Sequence, residues 1–264
     1  MHTLRLVAAI VLELGISAHA HAQTLPDAQR LFFNARYEAA AAMALELLAT
    51  DQGRLAAIEL RTSALLFQIK AALSGQPDRE KALKQCGECA DLMTAFMSET
   101  ARGQAVAHAT LRATPGDETA LFFLGKLDLN YIWLQVGPLG RRTGWDEYWE
   151  ARKSLDAVLA RNPAHLRARV ARAWIDYIVD TKMPRGTRWV LGGGDRKGAL
   201  RVMHDAARAD ADVFVHAEAL FGLWELEGRE RKMTDAIEVA RELLHDFPDN
   251  RDLAKFLEKH SPNP

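Results

Sequence analysis

Two cysteines in 264 residues cannot staple a fold of this length, so an apolar core has to hold the chain together. Neither charge is in excess: 34 Lys and Arg stand against 35 Asp and Glu, a net charge of −1. That balance excludes the basic surplus of a dedicated nucleic-acid binder. Beyond the N-terminal segment no stretch reaches the roughly 18 uninterrupted apolar residues that a membrane span requires. Val and Ile never cluster in alternation and no Asn-Gly turn is present, so the marks of β-hairpins are missing. Catalytic signatures are missing too: there is no His-Glu-x-x-His, no Gly-x-Ser-x-Gly elbow and no Gly-Lys-Ser/Thr phosphate loop. The histidines are dispersed, with no close ligating pair after His19 and His21. The expectation is a non-enzymatic chain with no metal and no cofactor. What remains is 48% hydrophobic residues, enough apolar surface to offset the entropy of ordering.

The first 22 residues read as an address. Arg5 precedes the apolar run Leu6 to Leu12, and the segment closes in Ala18-His19-Ala20 and Ala20-His21-Ala22. Small residues flanking one arbitrary residue suit a signal peptidase. Glu13 interrupts the apolar stretch, and the alternative is an N-terminal helix that stays in place. Cleavage after Ala22 makes residues 23–264 a single mature domain, exported to the periplasm or beyond the cell.

From Pro26 onward apolar residues recur at three- and four-residue spacings, the period of an all-α chain. Stop-start junctions follow apolar helices at Asp51-Gln52-Gly53, Thr114 to Asp117, Asn162-Pro163, Asp210 to Asp212 and Phe247 to Asn250. Pro cannot continue a helix, and Asp or Asn caps the next one. Twelve residues before Gln52, Pro163, Ala211 and Pro248 stand Ala40, Ala151, Ala199 and Ala236. Eight before stand Ala44, Leu155, Met203 and Ala240, and five before stand Leu47, Val158, Ala206 and Leu243.

With the pairs Leu124-Gly125 and Phe221-Gly222 and the run Tyr37-Glu38-Ala39-Ala40, this register resembles the tetratricopeptide repeat family, whose units run to about 34 residues. The resemblance covers most of Pro26 to Lys259 and is weakest between Asp78 and Leu111. It implies a right-handed α-solenoid of about five helix pairs, ending in a helix near Arg251 to Lys259. It also implies a scaffold that binds a protein or peptide. A second implication is a periplasmic small-molecule-binding accessory component of a solute-uptake system, of the kind associated with TRAP transporters, with a small hydrophobic or anionic ligand.

Two neighbouring units are lengthened alike. Tyr131-Ile132, Pro138, Gly140 and Arg142 recur 46 residues later as Tyr177-Ile178, Pro184, Gly186 and Arg188. The insertions, 136–145 and 183–194, mix Gly, Pro, Arg and Trp. Insertions in repeat proteins emerge on one face, often the binding face. Arg141, Arg142, Arg185 and Arg188, with Trp145 and Trp189, are therefore candidate contacts, since Arg forks onto carboxylates and phosphates and Trp adds stacking area. Tyr131, Trp133 and Tyr177 are candidates for a central aromatic groove. The competing account packs these tryptophans into the core and pairs the arginines with acidic residues. Gly192-Gly193-Gly194-Asp195 leads into a helix near Arg196, with Asp195 as its N-cap. Cys86-Gly87-Glu88-Cys89 is open to three accounts: a local disulfide, two packed thiols at helical spacing from Ala82, or a redox or metal role.

Overall fold

A computed structural model describes residues 24–48, 54–75 and 78–260, in which thirteen helices and no strand occur. The segment read as a signal and the junction at Asp51-Gln52-Gly53 lie outside the described residues. In chain order the helices are α1 (Leu25–Phe33), α2 (Tyr37–Leu47), α3 (Arg54–Ala72), the short α4 (Arg79–Gln85) and α5 (Cys89–Ala113). They continue as α6 (Glu118–Val136), α7 (Trp145–Arg161), α8 (Leu166–Lys182), the single turn α9 (Arg185–Arg188) and α10 (Arg196–Ala207). Last come α11 (Val213–Arg229), α12 (Met233–Asp246) and α13 (Arg251–His260).

Side chains at the junctions start these helices. Thr24 and Asp27 form a reciprocal capping box on α1, with Pro26 in its first turn. Asp117, Asp195 and Asp212 each accept from backbone N–H groups in the first turn of α6, α10 and α11. His165 does the same for α8 through its ring Nδ1, 3.1 Å from the Ala168 nitrogen. Each cap satisfies an amide that the helix itself cannot reach.

The helices pack in pairs, α1 on α2, α3 on α5, α6 on α7, α8 on α10 and α11 on α12. The alanines picked out by counting sit at these interfaces: Ala40, Ala151, Ala199 and Ala236 are all buried. Gly125 shows why small residues are needed. A Cβ there would stand 2.9 Å from Leu155 Cγ and 3.3 Å from the Ala151 carbonyl oxygen, so α6 and α7 can approach this closely only without a side chain. Successive apolar clusters run from α2–α3–α5 through α6–α7–α8 and α8–α10–α11 to α11–α12–α13.

The first helices of the pairs also touch in order, α1 to α3 to α6 to α8 to α11, and α1 then meets α11. At this seam the Phe33 ring lies 5.5 Å from Phe221 and 5.2 Å from Phe247. Asn250 donates to the Phe33 carbonyl at 2.7 Å and the Asp249 amide donates to Asn34 at 3.0 Å. The two ends of the array are thus joined, which no local pattern announced.

Three connections within pairs are long, one more than the sequence reading counted. The first holds α4 and the Cys86–Cys89 disulfide; Cys86 ends α4 and Cys89 opens α5, so the two are not small residues of one continuous helix. The second and third are residues 137–144 and 183–195. The first touches the second, and the third lies against α7. Arg79 of α4 donates to the Gly137 carbonyl, and Leu139 packs with Ala82 and Cys86. From the first turns of α7, Tyr148 donates to the Leu191 carbonyl at 2.7 Å and Arg152 to the Gly192 carbonyl at 3.1 Å.

Candidate functional site

The nine residues singled out from sequence divide into an inner and an outer group. Trp133 is half-buried and meets Trp174 edge-on, with ring centroids 5.3 Å apart. Tyr131 is half-buried beside Gly144, whose left-handed φ of 91° starts α7; a Cβ there would come within 3.3 Å of the Tyr131 ring. Tyr177 is only 2% exposed, and its hydroxyl donates to Glu230 at 2.8 Å. Burial, then the Glu230 carboxylate, pushes that phenol up to about 12. Tyr177 therefore belongs to the core between α8, α10 and α11, not to an open groove.

The arginines behave unequally. Arg188 closes its own loop, donating to the Met183 carbonyl at 3.1 Å and pairing with Asp180. That is the packing account of the insertions, and it corrects the assignment of Arg188 to an exposed surface. Arg141, Arg142 and Arg185 are exposed and make no side-chain hydrogen bond or ion pair among the described residues. Trp145 is 46% exposed and Trp189 is 78% exposed, so neither plugs the core. Trp149 and Val190, which are not among the nine, are exposed beside them. The signal for Trp149 was available, since it lies one turn from Trp145 on α7.

Inside the array a charged cluster joins four of the first helices. Glu59 of α3 and Glu218 of α11 share Lys126 of α6 and Arg167 of α8. Arg167 is 2.6 Å from Glu218 and 3.5 Å from Glu59, while Lys126 is 3.7 Å from Glu59. Two cations answer two anions, and Ser63 donates a further bond to Glu59 at 3.0 Å. Burial alone would raise the Glu218 carboxyl; Arg167 and Lys126 outweigh it and hold it at about 2. Nothing in the sequence marked this cluster, because each member is an ordinary charged residue of a helix.

Trp133 and Trp174 each stand seven residues beyond a member of that cluster, Lys126 and Arg167. Seven residues are two helical turns on the same stripe, about 10 Å further along the axis. Arg229, itself paired with Glu225, places its guanidinium 5.8 Å from the Trp174 ring. The inner face of the first helices is thus layered, with a neutralised ionic floor and then half-buried indoles with a cation at their side.

A second buried acid lies outside that face. Asp128 of α6 is fully buried and accepts from Gln104 at 2.7 Å. Burial pushes its pKa up to about 8; the Gln104 bond works against this, and Glu150 and Glu147 of α7 add to it. At neutral pH it keeps its proton. His108 approaches Glu150 at 3.4 Å, yet no group of three or more His, Cys, Asp or Glu among the described residues could hold a metal ion. A cleft of about 370 Å³ between α7, α8 and α10 is lined by Arg169, Arg172 and Arg201 against Asp176, Asp195 and Asp205. Arg172 is occupied by Asp156 and Asp176. No described helix is long and apolar enough to cross a membrane.

Compared with protein-family models, with curated proteins and with solved structures, the chain matches none.

Proposed function

We propose that the chain is a non-enzymatic binding scaffold of tetratricopeptide type, a right-handed solenoid of five helix pairs. It acts after export, in the periplasm or outside the cell, and receives a protein or peptide segment on the inner face of its first helices. The paired packing and the buried alanine register support the repeat reading. One observation carries the binding reading: Trp133 and Trp174 stand half-buried together two turns beyond the ionic cluster, with Arg229 beside them. A partly open aromatic pair suits a segment that brings an apolar anchor.

A second reading, a carrier of a small hydrophobic or anionic molecule for a solute-uptake system, is favoured by the α1–α11 seam. Joining the ends shortens the open groove along which an extended peptide would lie. Capture from periplasmic extract separates the two. A protein held by the wild type and lost by Trp174→Leu at unchanged thermal midpoint supports the scaffold. A small molecule released on denaturing the purified protein supports the carrier. Neither result leaves the inner face without a role.

A further inference from the structure

Every exposed tryptophan among the described residues stands either on the first turns of α7 or in the 183–195 connection that α7 holds. Trp145 and Trp149 lean edge-on against Tyr148, with centroids 6.5 and 5.2 Å away. The Tyr148 hydroxyl holds the Leu191 carbonyl, two residues past Trp189. Trp189 is 78% exposed and its neighbour Val190 52%, so this pair projects into solvent from the turn after α9. A partner pocket would have to be supplied from outside, since the protein offers a protrusion here.

The surroundings carry cations that no acid answers. Arg141 and Arg142 flank Trp145 in sequence, and Arg185 sits one turn before Trp189; none has a side-chain counter-ion among the described residues. Lys153, one turn beyond Trp149, is likewise exposed and unpaired; the acids beside the tryptophans are the exposed Asp146 and the half-exposed Glu147 and Glu150, the last of which faces His108. Two copies of such a patch placed face to face would bring unpaired arginines together, which disfavours self-association. An indole that is apolar in body with one N–H is the side chain that settles at a membrane–water boundary, and a guanidinium forks onto phosphate.

We propose that this end of the molecule docks on the surface of an anionic phospholipid bilayer. Trp189 and Val190 enter the boundary between headgroups and acyl chains, Trp145 and Trp149 lie along it, and Arg141, Arg142 and Arg185 contact the phosphates. A few apolar side chains or a few cations alone hold a protein weakly, whereas the two together suffice for reversible attachment. These residues are distinct from the inner face, so the proposal stands or falls independently of the partner held there.

The test is flotation of the full chain with vesicles of phosphatidylglycerol and phosphatidylcholine, against vesicles of phosphatidylcholine alone. Binding is expected only to the anionic vesicles, and is expected to fade in about 0.5 M salt. Replacing Arg141, Arg142 and Arg185 with Ala should weaken it by about a hundredfold, from three surface cations. Trp189→Ala with Val190→Ser should weaken it at least tenfold, and the Tyr148–Leu191 bond should preserve folding in both variants. The apolar run at residues 6–12 is common to all forms, so partitioning that survives either set of substitutions overturns the proposal. So does binding to neither vesicle. So does binding to poly-glutamate without vesicle binding, or a patch-dependent oligomer that ignores lipid.

Discussion

Glu218→Gln isolates what the charged cluster contributes. The substitution keeps the shape of the side chain and removes one of two anions facing Lys126 and Arg167. Glu59 cannot compensate both cations, being 3.7 and 3.5 Å from them. The carboxyl is held at about 2, against an ordinary 4.5. At 1.36 kcal/mol per pH unit that difference is worth about 3 kcal/mol at neutral pH. Loss of one partner from a buried pair costs roughly 3–5 kcal/mol. The sign follows from the depressed value. The contribution is complete above about pH 5 and is lost as pH falls through 4.5 toward 2, once the folded protein also takes up the proton. Urea unfolding of wild type and variant at pH 7 and at pH 3.5 reads this directly, and the gap should narrow at the lower pH. Replacing Lys126 by Met as well should recover part of the loss, because it removes the cation left unanswered. A gap below about 1 kcal/mol at pH 7, or one that does not change with pH, would show that the four charges do not act as a unit.

Ala151→Leu should cost roughly 1–3 kcal/mol by overpacking, because Ala151 has no exposed surface and its carbonyl lies 3.3 Å from the Cβ position of Gly125; urea midpoints check it. Asp128→Asn should raise the thermal midpoint more at pH 8 than at pH 5. A raised folded pKa of about 8 means that stability is lost as pH climbs from the ordinary 3.8 toward 8, and the amide removes that loss. Arg142→Ala should leave the midpoint within error, whereas Arg188→Ala should cost roughly 1.5–3 kcal/mol, the worth of a charge-assisted bond. Calorimetry of the two single variants distinguishes a free guanidinium from one that closes its loop on Asp180 and Met183.

What could be read from the sequence was local. An Asp before an apolar run caps a helix by reaching amides three residues on, so Asp117, Asp195 and Asp212 mark their helices without help from the rest of the chain. Close approach of two helices needs a small residue at one register, so Ala40, Ala151, Ala199 and Ala236 reveal the interfaces. The seam was not legible, because Asn34 meets Asp249 and Phe33 meets Asn250 across more than 200 residues, with no period to carry the information. The ionic cluster was hidden for a related reason. Glu59, Lys126, Arg167 and Glu218 would each serve equally well on a solvated helix face. Only the proximity of α3, α6, α8 and α11 turns them inward.

The duplicated insertions show the limit of reading role from likeness. Forty-six residues before Asp180 stands Leu134, whose side chain has no carboxylate to offer, so Arg142 stays free where Arg188 is paired. The second helices differ in the same way. Tyr148 and Arg152 of α7 grip the backbone of the following insertion at Leu191 and Gly192. Forty-eight residues further on, the corresponding positions are Arg196 and Leu200. Arg196 pairs with Glu230 instead, because the α11–α12 connection is short and offers no insertion to hold. The second and third long loops are thus each fixed by the unit before, Arg79 holding Gly137 and α7 holding Leu191. The outward tryptophans are what this arrangement leaves over. Tyr148 spends its hydroxyl on Leu191, and that bond keeps the loop folded back while Trp189 and Val190 remain in solvent. A loop fastened by its backbone and exposed at its side chains is rigid where it contacts the fold and free where it contacts anything else.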